Sequence, residues 1–189
     1  MKKILLLTLA LSAFIGKIDA QSIGLKSNLL YSASLSPNMG IEIGLGAQTT
    51  LDISAGFNPF TFSKGRQWKH WLVQPEFRYW TCERFNGHFV AGHLIGGGFN
   101  VGNVDFFPFS MWDSLENYRY KGHALGVGVG YGYAWMLGKR WNLEAEVGLG
   151  YAHAWYDQYE CRDCGDKIGS GGKNYWGVTK LSISLVYLF

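Results

Sequence analysis

Apolar and polar residues alternate through most of the chain, and the last ten residues show this pattern most clearly. From Leu181 to Phe189 every second residue is apolar, whereas the intervening set begins with Lys180, Ser182 and Ser184. A period of two places the two sets on opposite faces of a β-strand. Such a strand, ending on an aromatic residue, is typical of transmembrane β-barrels of outer membranes.

The same period predicts eight strands, an even number as in single-chain bacterial barrels. They span residues 23–34, 38–47, 49–60, 70–82, 88–99, 123–136, 141–155 and 175–189. Short connections alternate with longer ones at 61–69, 100–122 and 156–174, as periplasmic turns alternate with outer loops. The fold class that we predict is all-β: an eight-stranded antiparallel transmembrane β-barrel with a side-chain-filled lumen and both termini on the periplasmic side.

The strand over residues 123–136 shows most clearly which side chains face outward and which face inward. Leu125, Val127 and Val129 begin a bulky row that continues with aromatic residues, and the other row is glycine and alanine. We expect the bulky row to face lipid and the small row to face a narrow lumen. A phosphate-binding glycine loop is excluded because the alternation is strict and no helix follows.

Met1 is followed by two lysines and then by an apolar segment over residues 4–15 that is too short to span a bilayer. Residues 18–20 form a plausible cleavage site, so we predict a signal peptide over residues 1–20 and a barrel domain over 21–189. An N-terminal core helix is the alternative. Export and a barrel fold together predict a location in the outer membrane of a Gram-negative bacterium.

The composition is apolar and weakly charged. Charged residues make up 16% of the chain, against roughly 25% in soluble domains, and aromatic residues also reach 16%. Removing residues 1–20 takes away three lysines and one aspartate, which lowers the formal net charge from +3 to +1. A mature chain so close to neutral has no electrostatic footprint for nucleic acid, which excludes that partner.

Charged residues recur at the positions predicted to face inward. Buried charges persist only when they are paired, so we predict a polar network in the lumen. Asp52 is also expected to face inward. A paired-carboxylate acid/base site is the alternative that the spacing does not select. The predicted network consists of Lys26, Glu42, Glu76, Arg78, Glu144 and Glu146.

Several phrases follow one another in the order and spacing of a known family. They are Lys26 to Tyr31, Ser36 to Glu42, Gln74 to Trp80 with Cys82, Asn86 to Phe89, Gly128 to Tyr133, Arg140 to Glu144, Gly148 to Tyr151, Val178 to Lys180 and Val186 to Phe189. The chain resembles the domain-of-unknown-function family 3575 of Bacteroidota over nearly its whole mature length. The resemblance implies an outer-membrane barrel and, through neighbouring genes for fimbrial or surface proteins, a surface-assembly role. It implies no catalytic residues.

We predict no catalytic, cofactor or metal site. No two of the five histidines have a metal-ligand spacing, and His88 and His93 face opposite sides of one strand. Lipid-modifying barrel enzymes remain an alternative, because His123, Asp113 and Ser114 could meet at one rim. A soluble, secreted lipocalin-like barrel is a further alternative, in which the apolar rows would face inward.

The three cysteines divide into a close pair and a single thiol. Cys161 and Cys164 are predicted to form a disulfide, with a zinc site or a redox-active pair as alternatives. Cys82 lies at the periplasmic end of its strand, too far from the pair to join it, and is predicted to be shielded from the outside.

The expected function is that of a non-enzymatic outer-membrane protein with a structural or surface-assembly role. Phe189 is predicted to be its assembly signal. The expected partners are outer-membrane lipid, the barrel-assembly machinery and surface or fimbrial proteins.

Overall fold

The computed structural model describes residues 23–62, 66–102, 118–160 and 165–189. The predicted signal peptide lies outside these residues. The described part contains one short helix, α1 (Leu29–Ala33), and nine β segments. These are β1 (Ile23–Asn28), β2 (Asn38–Gly44), β3 (Thr49–Asn58), β4 (Thr61–Phe62), β5 (Arg66–Trp80), β6 (Gly87–Gly102), β7 (Arg119–Met136), β8 (Trp141–Tyr159) and β9 (Lys167–Leu188).

Eight of the segments form one antiparallel sheet that closes on itself. Neighbours run in the order β3, β2, β1, β9, β8, β7, β6 and β5, and β3 pairs with β5 to complete the ring. The two-residue β4 is an extension that pairs with β5 alone. The first and last strands also pair, which brings Ile23 and Phe189 together: the Phe189 amide donates to the Ile23 carbonyl over 3.0 Å. The all-β prediction of eight antiparallel strands is therefore confirmed.

The ring has a short-turn end and a long-strand end. The short-turn end holds both described termini and the connections over residues 45–48, 81–86 and 137–140. At the other end the wall is uneven, because β9 has 22 residues and β1 only six. No helix in the described ranges is long and apolar enough to cross a bilayer.

The first predicted strand is wrong beyond residue 28. The Asn28 side chain accepts a hydrogen bond of 3.0 Å from the Leu30 amide, so Asn28 caps α1 instead of continuing the strand. A second asparagine, Asn38, donates to the Asn28 carbonyl over 3.0 Å and ties the two ends of the helical connection together. Local asparagine–backbone bonds thus override the alternating pattern here.

The last two strands extend further than predicted. Most of the expected connection over residues 156–174 is paired, with Tyr156 opposite Gly171 and Asp157 opposite Ser170. The Lys167 ammonium and the Asp157 carboxylate approach to 2.7 Å at the far end of this ladder. The glycine and serine residues over 169–172 would by themselves predict a turn. They lie in β9 because the backbone of β8 pairs with theirs.

Side-chain facing follows the predicted alternation. On β7, Leu125, Val127 and Val129 are exposed on the outside of the ring, and Val129 is 70% exposed. The glycine row faces inward, where other side chains take up the space beside it. A Cβ added to Gly132 would lie 2.3 Å from Phe89 Cζ and 2.7 Å from the Ala145 carbonyl oxygen. Glycine on β7 therefore makes room for the large inward residues of β6.

An apolar cluster closes the interior at the short-turn end. We call it the apolar floor, and it consists of Trp80, Phe85, Phe89, Ala91, Ala134, Val186 and Leu188. The rings of Trp80 and Phe89 lie 4.7 Å apart. Phe85 adopts a positive φ of 64°, and its side chain is only 3% exposed. The turn before β6 therefore carries an aromatic ring into the floor.

We predict that Gly132→Ala destabilises the fold, whereas Gly92→Ala does not. The first change inserts a methyl group into Phe89 and into the backbone of β8, and overpacking of this kind typically costs about 1–3 kcal/mol. Gly92 lies on β6 and faces outward, and no atom of the described residues lies within 4 Å of an added Cβ. Denaturant unfolding of both purified variants measures the difference. Equal unfolding free energies would contradict the close packing described for β6 and β7.

Candidate functional site

Eight charged side chains from six strands meet above the apolar floor. We call them the interior charge cluster, and each is at most 8% exposed. Three neighbouring strands bring like charges together, because Glu42 lies opposite Asp52 and Asp52 lies opposite Glu76. Like charges directly opposite each other destabilise a sheet, so this row requires cations from elsewhere in the ring. The cluster consists of Lys26, Glu42, Asp52, Glu76, Arg78, Glu144, Glu146 and Lys180.

Arg78 on β5 donates hydrogen bonds to four carboxylates of this cluster, and its Nη2 also lies 3.6 Å from the fifth, Asp52 Oδ2. Its Nε donates to Glu76 Oε1 over 2.6 Å. Its Nη1 donates to Glu42 and Glu144 over 2.9 Å each, and its Nη2 donates to Glu146 over 2.8 Å. These carboxylates belong to β2, β5 and β8, so one planar guanidinium joins three separated strands of the ring.

The guanidinium of Arg78 also contacts the apolar floor. Its Cζ lies 4.4 Å from the centroid of the Phe89 ring, which is a cation–π geometry. Nearby, Trp80 Nε1 donates to Thr50 Oγ1 over 2.9 Å, and Thr50 in turn donates to Glu42. The apolar floor and the interior charge cluster are therefore one packed unit.

Two lysines, one on β1 and one on β9, also pair with carboxylates of the interior charge cluster. Lys26 donates to Glu42 and, over 3.0 Å, to Glu144. Lys180 approaches Glu76 to 2.6 Å and Glu146 to 3.2 Å. Both ammonium groups are also near Asp52, at 3.6 Å and 3.8 Å. Each lysine thus bridges carboxylates on different strands.

A β-bulge brings a further pair of polar groups to the cluster. The pairing of β8 with β9 shifts between Gly148 and Leu149, so Thr179 and Lys180 both turn toward the interior. The Thr179 hydroxyl lies 2.9 Å from His93 Nε2, and His93 is 1% exposed. Gly128 leaves space for this contact, since a Cβ there would lie 2.5 Å from His93 Nε2.

A small polar cavity lies beside the cluster. It has a volume of about 40 Å³ and is lined by Lys26, Asp52, Arg78 and Lys180 together with serine, asparagine and glutamine side chains. Gln74 on its wall donates to the Thr179 carbonyl over 3.3 Å. In the described part of the chain, ion pairs therefore fill most of the interior beside the floor, and this cavity is of the size of an ion or a few water molecules.

The structure brings together all six residues of the predicted network. Two members of the cluster were not included in that prediction. Asp52 was expected to face inward, and Lys180 lies in the polar set of the last strand, so alternation alone would have indicated both. His93 was predicted to carry no site, yet it lies 3.6 Å from Glu76. The contact of His93 with the Thr179 hydroxyl depends on the bulge that turns Thr179 inward, and the sequence contains no clear signal for that bulge.

The remaining candidate residues lie elsewhere. Phe189 is 61% exposed at the short-turn end, with its ring centroid 5.1 Å from that of Tyr187. Cys82 is exposed at the same end. His123 lies on the outside of β7, where its ring stacks on that of Trp155 at 5.3 Å. The predicted disulfide of Cys161 with Cys164 and the rim residues Asp113 and Ser114 lie outside the described residues.

These features define an all-β protein with eight antiparallel strands in one ring-like sheet and a charged interior. The chain belongs to the family described as "Protein of unknown function (DUF3575)", whose model matches residues 4–189. The resemblance inferred from the sequence phrases is thereby confirmed. No curated protein and no solved structure matches the chain.

We predict that Arg78→Met strongly destabilises the fold. The change leaves four buried carboxylates without their shared guanidinium, and removal of one buried partner typically costs roughly 3–5 kcal/mol. Arg140→Met is the matched control, because Arg140 is exposed and donates only to the Tyr187 hydroxyl in the described part of the chain. Unfolding by denaturant measures both variants. A similar small loss in the two would show that the cluster contributes little to stability.

Proposed function

We propose that this protein is an outer-membrane β-barrel with a plugged lumen and a non-enzymatic role in cell-surface structure or assembly. The observation that carries the proposal is the inverted polarity of the ring. In the described residues, 15 buried side chains are polar or charged and only nine are apolar. Many large hydrophobic side chains are instead exposed on the outer face of the ring. Soluble proteins rarely expose a continuous apolar surface of this size.

The outer surface also has the layering expected of a membrane barrel. Val127 and Val129 lie in the middle of β7, Leu181 lies between Trp176 and Tyr187 on β9, and all three aliphatic residues are at least 54% exposed. Aromatic rings flank this band on both sides. Towards the short-turn end lie Tyr131, Tyr133, Trp135, Trp141 and Tyr187, and towards the other end lie Tyr151, Trp155 and Trp176.

The separation of these aromatic groups fits a bilayer. On β9, Trp176 and Tyr187 are eleven residues apart, which corresponds to roughly 35 Å of strand. With the usual tilt of about 40°, the height is roughly 27 Å, close to the ~25 Å apolar band of outer-membrane barrels. Aromatic residues at both limits support the same assignment, because amphipathic rings favour the headgroup level.

A non-enzymatic role is supported by the filled interior. Each carboxylate of the interior charge cluster contacts at least one cation, which fits a plug better than an open reaction site. At the end of the ring away from the short turns, β8 and β9 continue beyond the aromatic group of Tyr151, Trp155 and Trp176 as far as Asp157 and Lys167. We call this part of β7, β8 and β9 the wall. A polar wall above the membrane would offer a docking surface, consistent with the surface-assembly role that the family resemblance implies.

Membrane fractionation tests the proposal. We expect the mature protein to co-sediment with outer membranes, to require detergent for release, and to migrate faster on gels when unboiled than when boiled. The fractionation includes a soluble periplasmic protein and an inner-membrane protein as controls. Recovery of the protein in the soluble periplasmic fraction without detergent would exclude the membrane barrel and favour a secreted lipocalin-like barrel.

Phe189 provides a second test of the same proposal. Deletion of Phe189, or Phe189→Asp, should reduce the amount of heat-modifiable protein in outer membranes, because the terminal aromatic residue is proposed to mark the last strand for insertion. Phe189→Tyr is the matched control and should assemble normally, since it keeps the ring beside Tyr187. Normal assembly of the Asp variant would show that the terminal residue carries no signal.

A further inference from the structure

Three buried side chains from three strands direct ligand atoms toward one point in the interior. They are Glu76 on β5, His93 on β6 and Glu146 on β8, and one donor atom of each lies within 4.8 Å of the others. Their exposed fractions are 1%, 1% and 4%. We propose that this triad binds one divalent transition-metal cation, with Zn²⁺ as the test case.

Two potential ligand atoms of the triad lack hydrogen-bond partners among the described residues. The Thr179 hydroxyl occupies His93 Nε2, which leaves Nδ1 unpartnered at 3.6 Å from a Glu76 oxygen. Glu146 Oε1 is also unpartnered. A buried polar atom without a partner is costly, and a cation bound by the triad would supply a partner for such atoms.

The charge of the interior also favours a cation. The interior charge cluster contains five carboxylates but only three basic side chains, so it carries an excess of two negative charges when all its members are ionised. An uncompensated buried charge is strongly unfavourable. One divalent cation would remove the excess completely.

The donor set selects the class of metal. One imidazole nitrogen and two carboxylate oxygens suit Zn²⁺, Mn²⁺ or Fe²⁺, whereas Ca²⁺ and Mg²⁺ favour oxygen ligands alone. The Thr179 hydroxyl on the second ring nitrogen fixes the orientation of His93, as groups behind metal-binding histidines commonly do. The bulge that turns Thr179 inward is therefore part of the site.

Lys180 is the group that the cation must displace. Its ammonium lies 2.6 Å from Glu76 Oε2 and 3.2 Å from Glu146 Oε2, and it also lines the polar cavity. Asp52 Oδ2 is 3.8 Å from this ammonium, and the other oxygen of Asp52 has no hydrogen-bond partner within the described ranges. Metal entry through the cavity would shift Lys180 from the two glutamates to Asp52, so that its positive charge stays paired.

Calorimetric titration of the purified, tag-free mature chain with ZnCl₂, after chelator treatment, tests the site. We expect one Zn²⁺ per chain and at least a tenfold weaker affinity in His93→Gln and in Glu146→Gln. His88→Gln is the matched control on the same strand: His88 faces outward beside Tyr131 and should leave the affinity unchanged. Lys180→Met should bind more tightly, because it removes the competing ammonium. Equal affinity in wild type and His93→Gln would overturn the proposal.

Co²⁺ substitution in the wild-type chain is a measurement that does not depend on the folding of variants. Nitrogen and oxygen ligands produce weak visible bands, whereas thiolate ligands add intense near-ultraviolet absorption. We expect only the weak bands, unchanged in the double variant Cys161→Ser with Cys164→Ser. Thiolate absorption that disappears in the double variant would assign the metal to the cysteine pair and overturn the proposal, as would the absence of any binding.

Discussion

The set of hydrogen bonds from Arg78 to four buried carboxylates is the interaction on which the rest of the structure depends. Glu42, Asp52 and Glu76 lie side by side on neighbouring strands, an arrangement that repels itself unless cations intervene. The guanidinium also reaches Glu144 and Glu146 across the interior. Its planar geometry therefore links opposite walls of the ring, which adjacent-strand hydrogen bonds alone cannot do.

The charged interior determines how the remaining space is used. The side chains of the cluster occupy the centre, so glycine on the nearby β7 and β8 leaves space for Phe89 and His93 of β6 against these strands. Below the cluster, the apolar floor closes the short-turn end and contacts Arg78 through the Phe89 ring. With the polar groups inside, the apolar side chains lie outside, and this inversion is the strongest support for the proposed membrane location.

The interior and the outer wall suggest separate roles. The proposed surface-assembly role depends on the wall of β7, β8 and β9 beyond the aromatic residues, whereas the proposed metal site depends on the bulge at Thr179 and on His93. A cation bound at Glu76, His93 and Glu146 would neutralise the cluster and tie β5, β6 and β8 together. The metal site would then support the rigidity of the ring that displays the wall.

The sequence by itself determined the strands and their facing, because the pleat of a β-strand converts each alternating row directly into an inside and an outside face. Rows such as Leu125 to Val129 on β7 and Glu144 to Glu146 on β8 could therefore be assigned locally. Tertiary structure alone decided the helix after Asn28, the extension of β8 and β9, and the meeting of His93 with Glu76 and Glu146. These features depend on register, on a bulge and on pairing between distant strands, and a period of two contains no information about any of them.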